Sequence, residues 1–266
     1  MKKMILTVSA LAAFTGSALA ADMAPRTYAK AAPMPVAVAS WTGCYIAGGG
    51  GYGLWNQENT AYDVTTNPRT QLTGMNTDGG RGYFGTVGGG CDYQVGLGNW
   101  QMVVGAFGDY DFASMKGNET FPSIGAYGQE KLNSQWSVGG RVGVLITPSL
   151  LTYFSAGYTE AHFNSVTQLA NFAPFIGVPN GLYVGGRTYS GYFLGAGDEY
   201  ALNFLPGLFW KTEYRFSDLD TQSNPVRVVA TNALTATSID SHKYVHTVRS
   251  ELVYRFNWGG PVVAKY

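Results

Sequence analysis

The strictest constraint in this sequence is an alternation of apolar and polar residues with a period of two, which dominates the chain from Trp41 onward. In the stretch Trp210–Phe216, the residues Trp, Thr, Tyr and Phe alternate with Lys, Glu and Arg. Side chains of a β-strand point to opposite faces in turn, whereas a helix would mix the two sets. The alternation therefore predicts a chain of strands that each have an apolar face and a charged face.

Eight segments show this pattern, and each is longer than the roughly five or six residues of a typical soluble strand. Their length suits a tilted strand that crosses a bilayer, which needs about 9–11 residues. The predicted strands are Trp41–Trp55, Gly82–Val95, Trp100–Phe112, Gln135–Leu145, Leu151–Phe163, Gly191–Leu202, Leu208–Ser217 and Tyr244–Asn257.

The connections between these segments alternate in length. Three are short (96–99, 146–150 and 203–207), and four are long and polar (56–81, 113–134, 164–190 and 218–243). Short periplasmic turns and long outer loops are typical of outer-membrane barrels, in which the sheet must close because lipid offers no hydrogen-bond partners. The sequence thus predicts an all-β fold, an eight-stranded antiparallel up-and-down transmembrane β-barrel over residues 41–257. The alternative, a soluble β-sandwich, would not need this regular alternation of loop lengths.

The segments that flank the predicted barrel have different compositions. Residues 1–20 have a basic start, an apolar stretch and the small-residue site Ala18-Leu19-Ala20, which predict a cleaved secretory signal peptide. Residues 21–40 are rich in Ala and Pro and predict a periplasmic leader, while 258–266 form a C-terminal extension beyond the last strand. These features indicate the envelope of a Gram-negative bacterium, with the barrel as an integral protein of the outer membrane.

The apolar face of each strand is predicted to meet lipid, with aromatic residues near both ends of the strands. Two such girdles anchor a barrel because aromatic rings with a polar edge prefer the headgroup level. The outward aliphatic set is Ile46, Val87, Met102, Val104, Val138, Val142, Val144, Leu194, Leu208 and Leu252. The periplasmic girdle is Tyr93, Trp100, Tyr153, Tyr200, Trp210, Tyr254 and Phe256, and the outer girdle is Trp55, Tyr83, Tyr110, Phe112, Trp136, Phe163, Tyr192, Phe216 and Tyr244. Asp198 breaks the rule by falling on the outward face near the periplasmic end.

The opposite face carries the charges and is predicted to enclose them in the lumen. Acids and bases together would pair into a network, since isolated buried charges are costly. An eight-stranded barrel is only wide enough to hold side chains, so we expect a plugged or very narrow interior. The predicted lumen charges are Asp92, Asp109, Asp111, Arg141, Glu160, Glu199, Lys211, Glu213, Arg215, Arg249, Glu251 and Arg255.

The two cysteines, Cys44 and Cys91, fall near the periplasmic ends of adjacent predicted strands, both on the outward face. The periplasm is oxidising, so a disulfide between them is one expectation. A pair of lipid-facing thiols is the alternative, because disulfide geometry is restrictive.

Several kinds of chemistry lack a sequence signal. Formal charge cancels, with 17 Lys and Arg against 17 Asp and Glu, which argues against a nucleic-acid partner. His162, His242 and His246 have no neighbouring cluster with zinc spacing, and no cofactor or metal is expected. No catalytic residues are predicted, although His162 and Glu160 near the outer rim leave an envelope hydrolase as an alternative that would need a serine within reach.

Several motifs resemble the small outer-membrane β-barrel family of alphaproteobacteria, whose members are described as surface antigens or porin-like proteins. They include Trp41-Thr42-Gly43 with Tyr45-Ile46, Lys211-Thr212-Glu213-Tyr214-Arg215 and the closing stretch from Tyr254 to Tyr266. The resemblance implies an eight-stranded outer-membrane barrel without catalytic residues, assembled by the barrel-assembly machinery and surrounded by outer-membrane lipids. The family usually has aromatic residues where this chain has Cys44 and near Cys91.

We therefore expect a structural or surface role, with narrow porin-like passage of small solutes as a subsidiary function. The alternatives are a lipid-modifying enzyme of the outer membrane and an adhesin that acts through the four long loops. A soluble periplasmic ligand-binding barrel is a weaker alternative, because it requires a polar outer face.

Overall fold

The structure is a computed structural model that describes residues 40–122, 125–202 and 204–256. The predicted signal peptide (1–20), the leader up to residue 39 and the C-terminal extension (258–266) lie outside these residues. The described part contains the strands β1 (Gly43–Asp63), β2 (Thr70–Gln71), β3 (Asn76–Leu97), β4 (Trp100–Phe121), β5 (Ala126–Thr147), β6 (Leu150–Phe163), β7 (Val166–Ala170), β8 (Pro179–Val184), β9 (Arg187–Ala201), β10 (Leu208–Val228) and β11 (Leu234–Phe256). Among these residues, none forms a helix of the length and apolarity that crossing a membrane requires.

Eight of the strands form a closed antiparallel ring. The order is β1-β3-β4-β5-β6-β9-β10-β11, and β11 pairs with β1 to complete it. The closing register runs without interruption from Cys44 opposite Phe256 to Asp63 opposite Thr237. Every neighbour in sequence is also a neighbour in the sheet, as expected for an up-and-down barrel, and the ring leaves no free edge at the level of these strands.

The strands begin near their predicted periplasmic ends but extend much further outward than predicted. β3, β4 and β5 each have 22 residues, about twice what a tilted membrane-spanning strand needs. Most of the segments 56–81, 113–134 and 218–243, which the sequence predicts as loops, are therefore continuous strand. The sequence prediction is wrong here because polar residues continue the same alternation above the outer girdle.

A short hairpin completes the ring above β6 and β9. β7 pairs with the start of β5 and with β8, and β8 pairs with the end of β10. The predicted loop 164–190 thus contains two strands, and the barrel continues as an extension beyond the girdle that the sequence predicts to be the outer one. We call the part of the barrel above the outer girdle, including β7 and β8, the extracellular extension.

Three clusters of buried apolar side chains fill the described interior at successive levels. The lowest includes Trp41, Tyr45 and Phe209, the middle one includes Trp55 and Phe163, and the uppermost includes Phe121, Val166 and Ile239 in the extension. Charged side chains lie between and beside these clusters, so the interior is a packed mixture of aromatic and ionic layers.

Candidate functional site

The lumen is the candidate functional site, because the predicted charged residues converge there. Lys211, Glu213 and Arg215 are all buried, at 5, 2 and 0% exposure. The alternation in β10 turns them inward, while Trp210 and Tyr214 on the opposite parity remain exposed. The predicted orientation of this strand is confirmed.

The lowest ionic layer is a cycle of two arginines and two carboxylates. Arg141 donates to Asp92, with Nε 2.9 Å from Oδ1, and to Glu199, with Nη1 2.8 Å from Oε2. Arg255 donates to the same two acids, with Nη1 2.6 Å from Asp92 Oδ2 and Nη2 2.6 Å from Glu199 Oε1. Each carboxylate therefore bridges both guanidinium groups, and the four formal charges cancel within a fully buried layer.

Aromatic rings close this layer on the periplasmic side. Trp41 has no exposed surface, and its Nε1 donates to the carbonyl of Pro148 at 3.3 Å. The Arg255 guanidinium lies 5.2 Å from the Trp41 ring centre and 4.9 Å from that of Phe209. Such cation–π contacts partly replace the hydration that the guanidinium loses.

The middle layer is centred on Arg215 and Arg249. Arg215 makes a two-point contact with Asp109 at 3.0 and 2.9 Å and donates from Nε to Glu213 at 3.0 Å. Arg249 donates to Asp111 at 2.9 Å. Lys211 pairs with Glu251 at 2.5 Å. Asp109 and Asp111 on β4 lie across the ring from Arg215 on β10 and Arg249 on β11, so these contacts cross the lumen. Lys211 and Glu251, in contrast, are directly opposite each other on the neighbouring strands β10 and β11.

The upper layer was missed by the sequence analysis. Lys243 Nζ lies 2.9 and 2.8 Å from the two oxygens of Glu130, and Gln57 accepts a further hydrogen bond from it. Asn59 Nδ2 donates to Glu119 at 3.3 Å. These residues fall in segments predicted as loops. The signal that could have found them is the alternation of β1 itself. Every second residue from Gly53 onward faces the lumen, and this series continues through Gln57 and Asn59.

Glu119 and Glu130 lie well above the outer girdle residues Phe112 and Trp136 on β4 and β5. Burial and the nearby Glu130 carboxylate raise the pKa of Glu119 well above its ordinary value. Burial also raises the pKa of Glu130, although the Lys243 ammonium counteracts this. A protonated Glu119 leaves Lys243 and Glu130 as a neutral pair in this part of the extension.

The outer wall has the predicted apolar band between two girdles. Exposed aliphatic residues include Ile46, Val87, Val104, Val138, Val142, Leu194 and Leu252. Exposed aromatic residues lie below the band at Tyr93, Trp100, Tyr200, Trp210, Tyr254 and Phe256, and above it at Tyr83, Tyr110, Phe112, Trp136 and Tyr192. Asp198 is also on the outer face, where it accepts a hydrogen bond from Thr152 at 2.6 Å.

Three predicted girdle residues point inward instead. Trp55, Tyr153 and Phe163 are each only 1% exposed. On each strand they alternate in step with the residues that face the lumen, and their side chains fill the space between the ionic layers. Trp55 and Phe163, for example, lie 5.4 and 4.4 Å from Lys243 Nζ, measured to the ring centres.

One predicted lumen charge points outward. Glu160 lies opposite Trp136 and accepts hydrogen bonds from Trp136 Nε1 at 3.2 Å and Tyr158 Oη at 2.6 Å. Its neighbours Thr159 and Ala161 occupy the inward positions and are fully buried. The prediction for Glu160 is wrong, because these two aromatic donors at the outer girdle satisfy its carboxylate outside the barrel.

Cys44 and Cys91 lie directly opposite each other on β1 and β3 and form a disulfide. Both side chains are on the outer face near the periplasmic ends of their strands. The bond joins two neighbouring strands of the ring next to the β1–β11 closure.

The histidines do not assemble the hydrolase site that the sequence left open as an alternative. His162 Nδ1 lies 3.1 Å from Thr188 Oγ1, and Glu160 is engaged by the two aromatic residues. His242 lies between Thr221 Oγ1 at 2.9 Å and Asp218 Oδ1 at 2.8 Å. Within the described ranges, no group of three or more His, Cys, Asp or Glu is arranged to hold a metal ion.

Comparison with known proteins finds full-length relatives in two organisms. The 31 kDa outer-membrane immunogenic proteins of Brucella melitensis and Brucella suis are 29% identical to this chain over 258 residues, covering 96% of this chain and all of each relative. No family model matches the chain. Solved structures with low structural similarity include OprG of Pseudomonas aeruginosa, which is 11% identical over 82% of this chain and 99% of that one, with a TM-score of 0.46. Ail of Yersinia pestis is 12% identical over 78% of this chain and 99% of that one, with a TM-score of 0.33.

The closed ring, the apolar outer band between aromatic girdles and the enclosed charges define an integral β-barrel protein of the Gram-negative outer membrane. The full-length Brucella relatives are outer-membrane proteins, in agreement with this class. The chain is similar to the surface-antigen family of small alphaproteobacterial outer-membrane barrels, and the resemblance seen in its motifs is confirmed.

Proposed function

We propose that this protein is a surface-displayed component of the outer membrane that functions through its extracellular extension. Its barrel is closed and does not conduct solutes. The observation that carries the proposal is the filling of the lumen. Trp41, Arg255, Arg249, Arg215 and Lys243 occupy successive levels of the interior, and none is more than 2% exposed. A hydrated ion would have to displace several paired charges to pass, and breaking each buried pair is costly.

The extension supports the surface role. Its strands present outward polar faces above the outer girdle, and the tip between β7 and β8 exposes Phe172, Phe175, Ile176 and Val178. The name of the Brucella relatives describes them as immunogenic, which fits a barrel exposed at the cell surface. Outer-membrane lipids, and the barrel-assembly machinery during biogenesis, are the partners we infer for the wall.

Single-channel recording in planar bilayers tests the proposal. The full chain is expected to give no discrete openings at high protein density. Resistance of the reconstituted protein to unfolding in cold detergent shows independently that the barrel has inserted and closed. The double variant Glu199→Ser with Arg255→Ser removes one acid and one base from the lowest layer and should also stay silent, because the middle and upper layers still fill the lumen. Discrete openings of the unmodified protein would contradict a closed lumen.

Surface display has its own test. A short epitope inserted between Thr231 and Asn232, in the turn that joins β10 and β11, should be detected by antibody on intact cells. An epitope inserted at Pro148, between β5 and β6, should be detected only after permeabilisation. Equal detection at both sites would contradict the proposed orientation.

A lipid-modifying enzyme is the second candidate, because His242 contacts both a hydroxyl, that of Thr221, and a carboxylate, that of Asp218. The arrangement is the reverse of a catalytic triad, because the hydroxyl contacts Nδ1 and the carboxylate contacts Nε2. Release of fatty acids from phospholipid vesicles decides between the two. We expect none above the level of a His242→Ala variant, whereas release that this substitution abolishes would favour the enzyme.

A further inference from the structure

Three basic residues lie side by side on the outer face of the extracellular extension. Arg81 on β3 is directly opposite Lys116 on β4, and Lys116 is directly opposite Lys131 on β5. Neighbouring strands are separated by about 4.8 Å, so the three residues form a transverse row about 10 Å long. We call Arg81, Lys116 and Lys131 the basic row. Arg81 and Lys116 are exposed, and Lys131 is half-buried on the same outward parity.

The basic row has no acidic counterpart. The ion pairs of the described residues include none that involves these three side chains. Like charges directly opposite each other on neighbouring strands destabilise a sheet. Repulsion within the row therefore lowers the stability of the free protein, and a bound anion would remove this repulsion.

Three other bases of the extension, the exposed Arg69 and the half-buried Arg187 and Arg227, are engaged by the protein itself. Arg69 pairs with Asp240 at 3.0 Å. Arg187 donates to the carbonyl of Ser223 at 2.5 Å, and Arg227 donates to the carbonyl of Asn232 at 3.1 Å. The contrast indicates that the basic row is kept available for a ligand from outside the chain.

A groove of about 510 Å³ opens on the outer wall beside the row. Gly79, Gly80 and Gly117 line it and contribute no side chains. Polar groups of Asn118 and Gln129 line it together with Arg81 and Lys116. The cations thus border a recess with further hydrogen-bond donors, large enough for a sugar-sized headgroup.

The position of the row relative to the membrane identifies the class of ligand. Tyr83 and Phe112, at 75 and 62% exposure, lie just below Arg81 and Lys116 on the same faces of β3 and β4. These aromatic residues belong to the outer girdle, so the cations sit at the level of the headgroups of the outer leaflet. Clusters of Lys and Arg at this depth attract anionic lipid headgroups.

We propose that the basic row and its groove bind the phosphate groups of phosphorylated glycolipids in the outer leaflet of the outer membrane. The guanidinium of Arg81 and the ammonium groups of Lys116 and Lys131 contact the phosphates, and the glycine-lined groove receives the adjoining sugar. The acyl chains then lie against the apolar band below Tyr83 and Phe112.

The test compares two triple variants that lose the same charge. The first is Arg81→Gln, Lys116→Gln and Lys131→Gln, and the control is Arg69→Gln, Arg187→Gln and Arg227→Gln. The full chain and both variants are refolded in detergent, and resistance to unfolding in cold detergent shows that each barrel has closed. Native mass spectrometry then measures binding of bis-phosphorylated lipid A and of the same lipid after dephosphorylation.

The first variant should lose affinity for the phosphorylated lipid by roughly tenfold or more, while the control should stay within a factor of about two. The dephosphorylated lipid should bind all three proteins equally weakly. Equal affinity of the first variant and the unmodified protein, or an equal loss in the control, would overturn the proposal. Binding of inorganic phosphate to the row as tightly as the phosphorylated lipid would also overturn it, because the row would then take a free anion rather than a lipid.

Discussion

Arg255 holds Glu199 by two of its nitrogens, with Nε and Nη2 lying 3.1 and 2.6 Å from the same oxygen, Oε1. The second oxygen of Glu199 accepts from Arg141. One carboxylate thus compensates two buried guanidinium groups on opposite sides of the lumen. Because this layer is buried, removing the carboxylate leaves Asp92 alone to balance two guanidinium groups.

Glu199→Gln is therefore expected to lower the free energy of unfolding by about 3–5 kcal/mol, the usual cost of breaking a buried ion pair. Asp198→Asn is the matched control, since Asp198 neighbours Glu199 but lies on the outer face near the periplasmic end. It should change stability by no more than about 0.5 kcal/mol. Urea unfolding in lipid vesicles, followed by tryptophan fluorescence, measures both. Similar losses for the two variants would show that the network does not stabilise the barrel.

Two tryptophans test which residues fill the lumen. Trp55→Ala should lower the free energy of unfolding by about 3–5 kcal/mol, because it leaves a cavity beneath Lys243. Trp100 is 62% exposed at the periplasmic girdle, so Trp100→Ala should cost clearly less. Brominated lipids offer a second readout, since they should quench Trp100 and leave Trp55 unquenched. Quenching of Trp55 would show that its side chain faces lipid at the outer girdle and not the lumen.

The strand positions and most of the faces could be predicted from the sequence where one face meets lipid, although Tyr153 at the periplasmic girdle points inward. In β10 the apolar and charged sets separate completely, so its start at Leu208 and the burial of Lys211, Glu213 and Arg215 follow from periodicity alone. Hydrocarbon excludes polar side chains from one face of the strand, so residue type identifies which face meets lipid.

The extension could not be predicted in the same way, because water on its outer face permits polar residues on both sides of a strand. Gln57 and Asn59 face inward, yet their composition resembles that of a loop. Glu160 and Trp55 were assigned to the wrong faces for a related reason. At the outer girdle, carboxylates and large aromatic rings are tolerated on either side, so residue type no longer identifies the face.

The disulfide should contribute measurably to stability. Cys44 and Cys91 are separated by 47 residues in sequence, and closing a loop of that size corresponds to about 4 kcal/mol in the chain-entropy model. The double variant Cys44→Ser with Cys91→Ser should lose a similar amount, and so should the reduced unmodified protein. Mass spectrometry after alkylation should detect no free thiol before reduction and two after it. Alkylation of both cysteines without reductant would contradict the bond.

The stability of the extension should fall as the pH rises, because of Glu119. Its pKa is raised in the folded protein, so the folded state holds a proton that the unfolded state releases above its ordinary pKa of about 4.5. The stabilisation is fully present below that ordinary pKa and is lost as the pH rises through the folded pKa. Glu119→Gln imitates the protonated carboxyl and should weaken this dependence, leaving the part that the raised pKa of Glu130 contributes. The extension of the variant should be more stable than the unmodified one at high pH but similar to it at pH 4. Hydrogen exchange of the outer halves of β1 and β4 at several pH values measures the effect locally, while the membrane-spanning halves provide the internal reference. If the pH dependence of exchange in the outer halves is unchanged by the substitution, Glu119 is not the group that titrates.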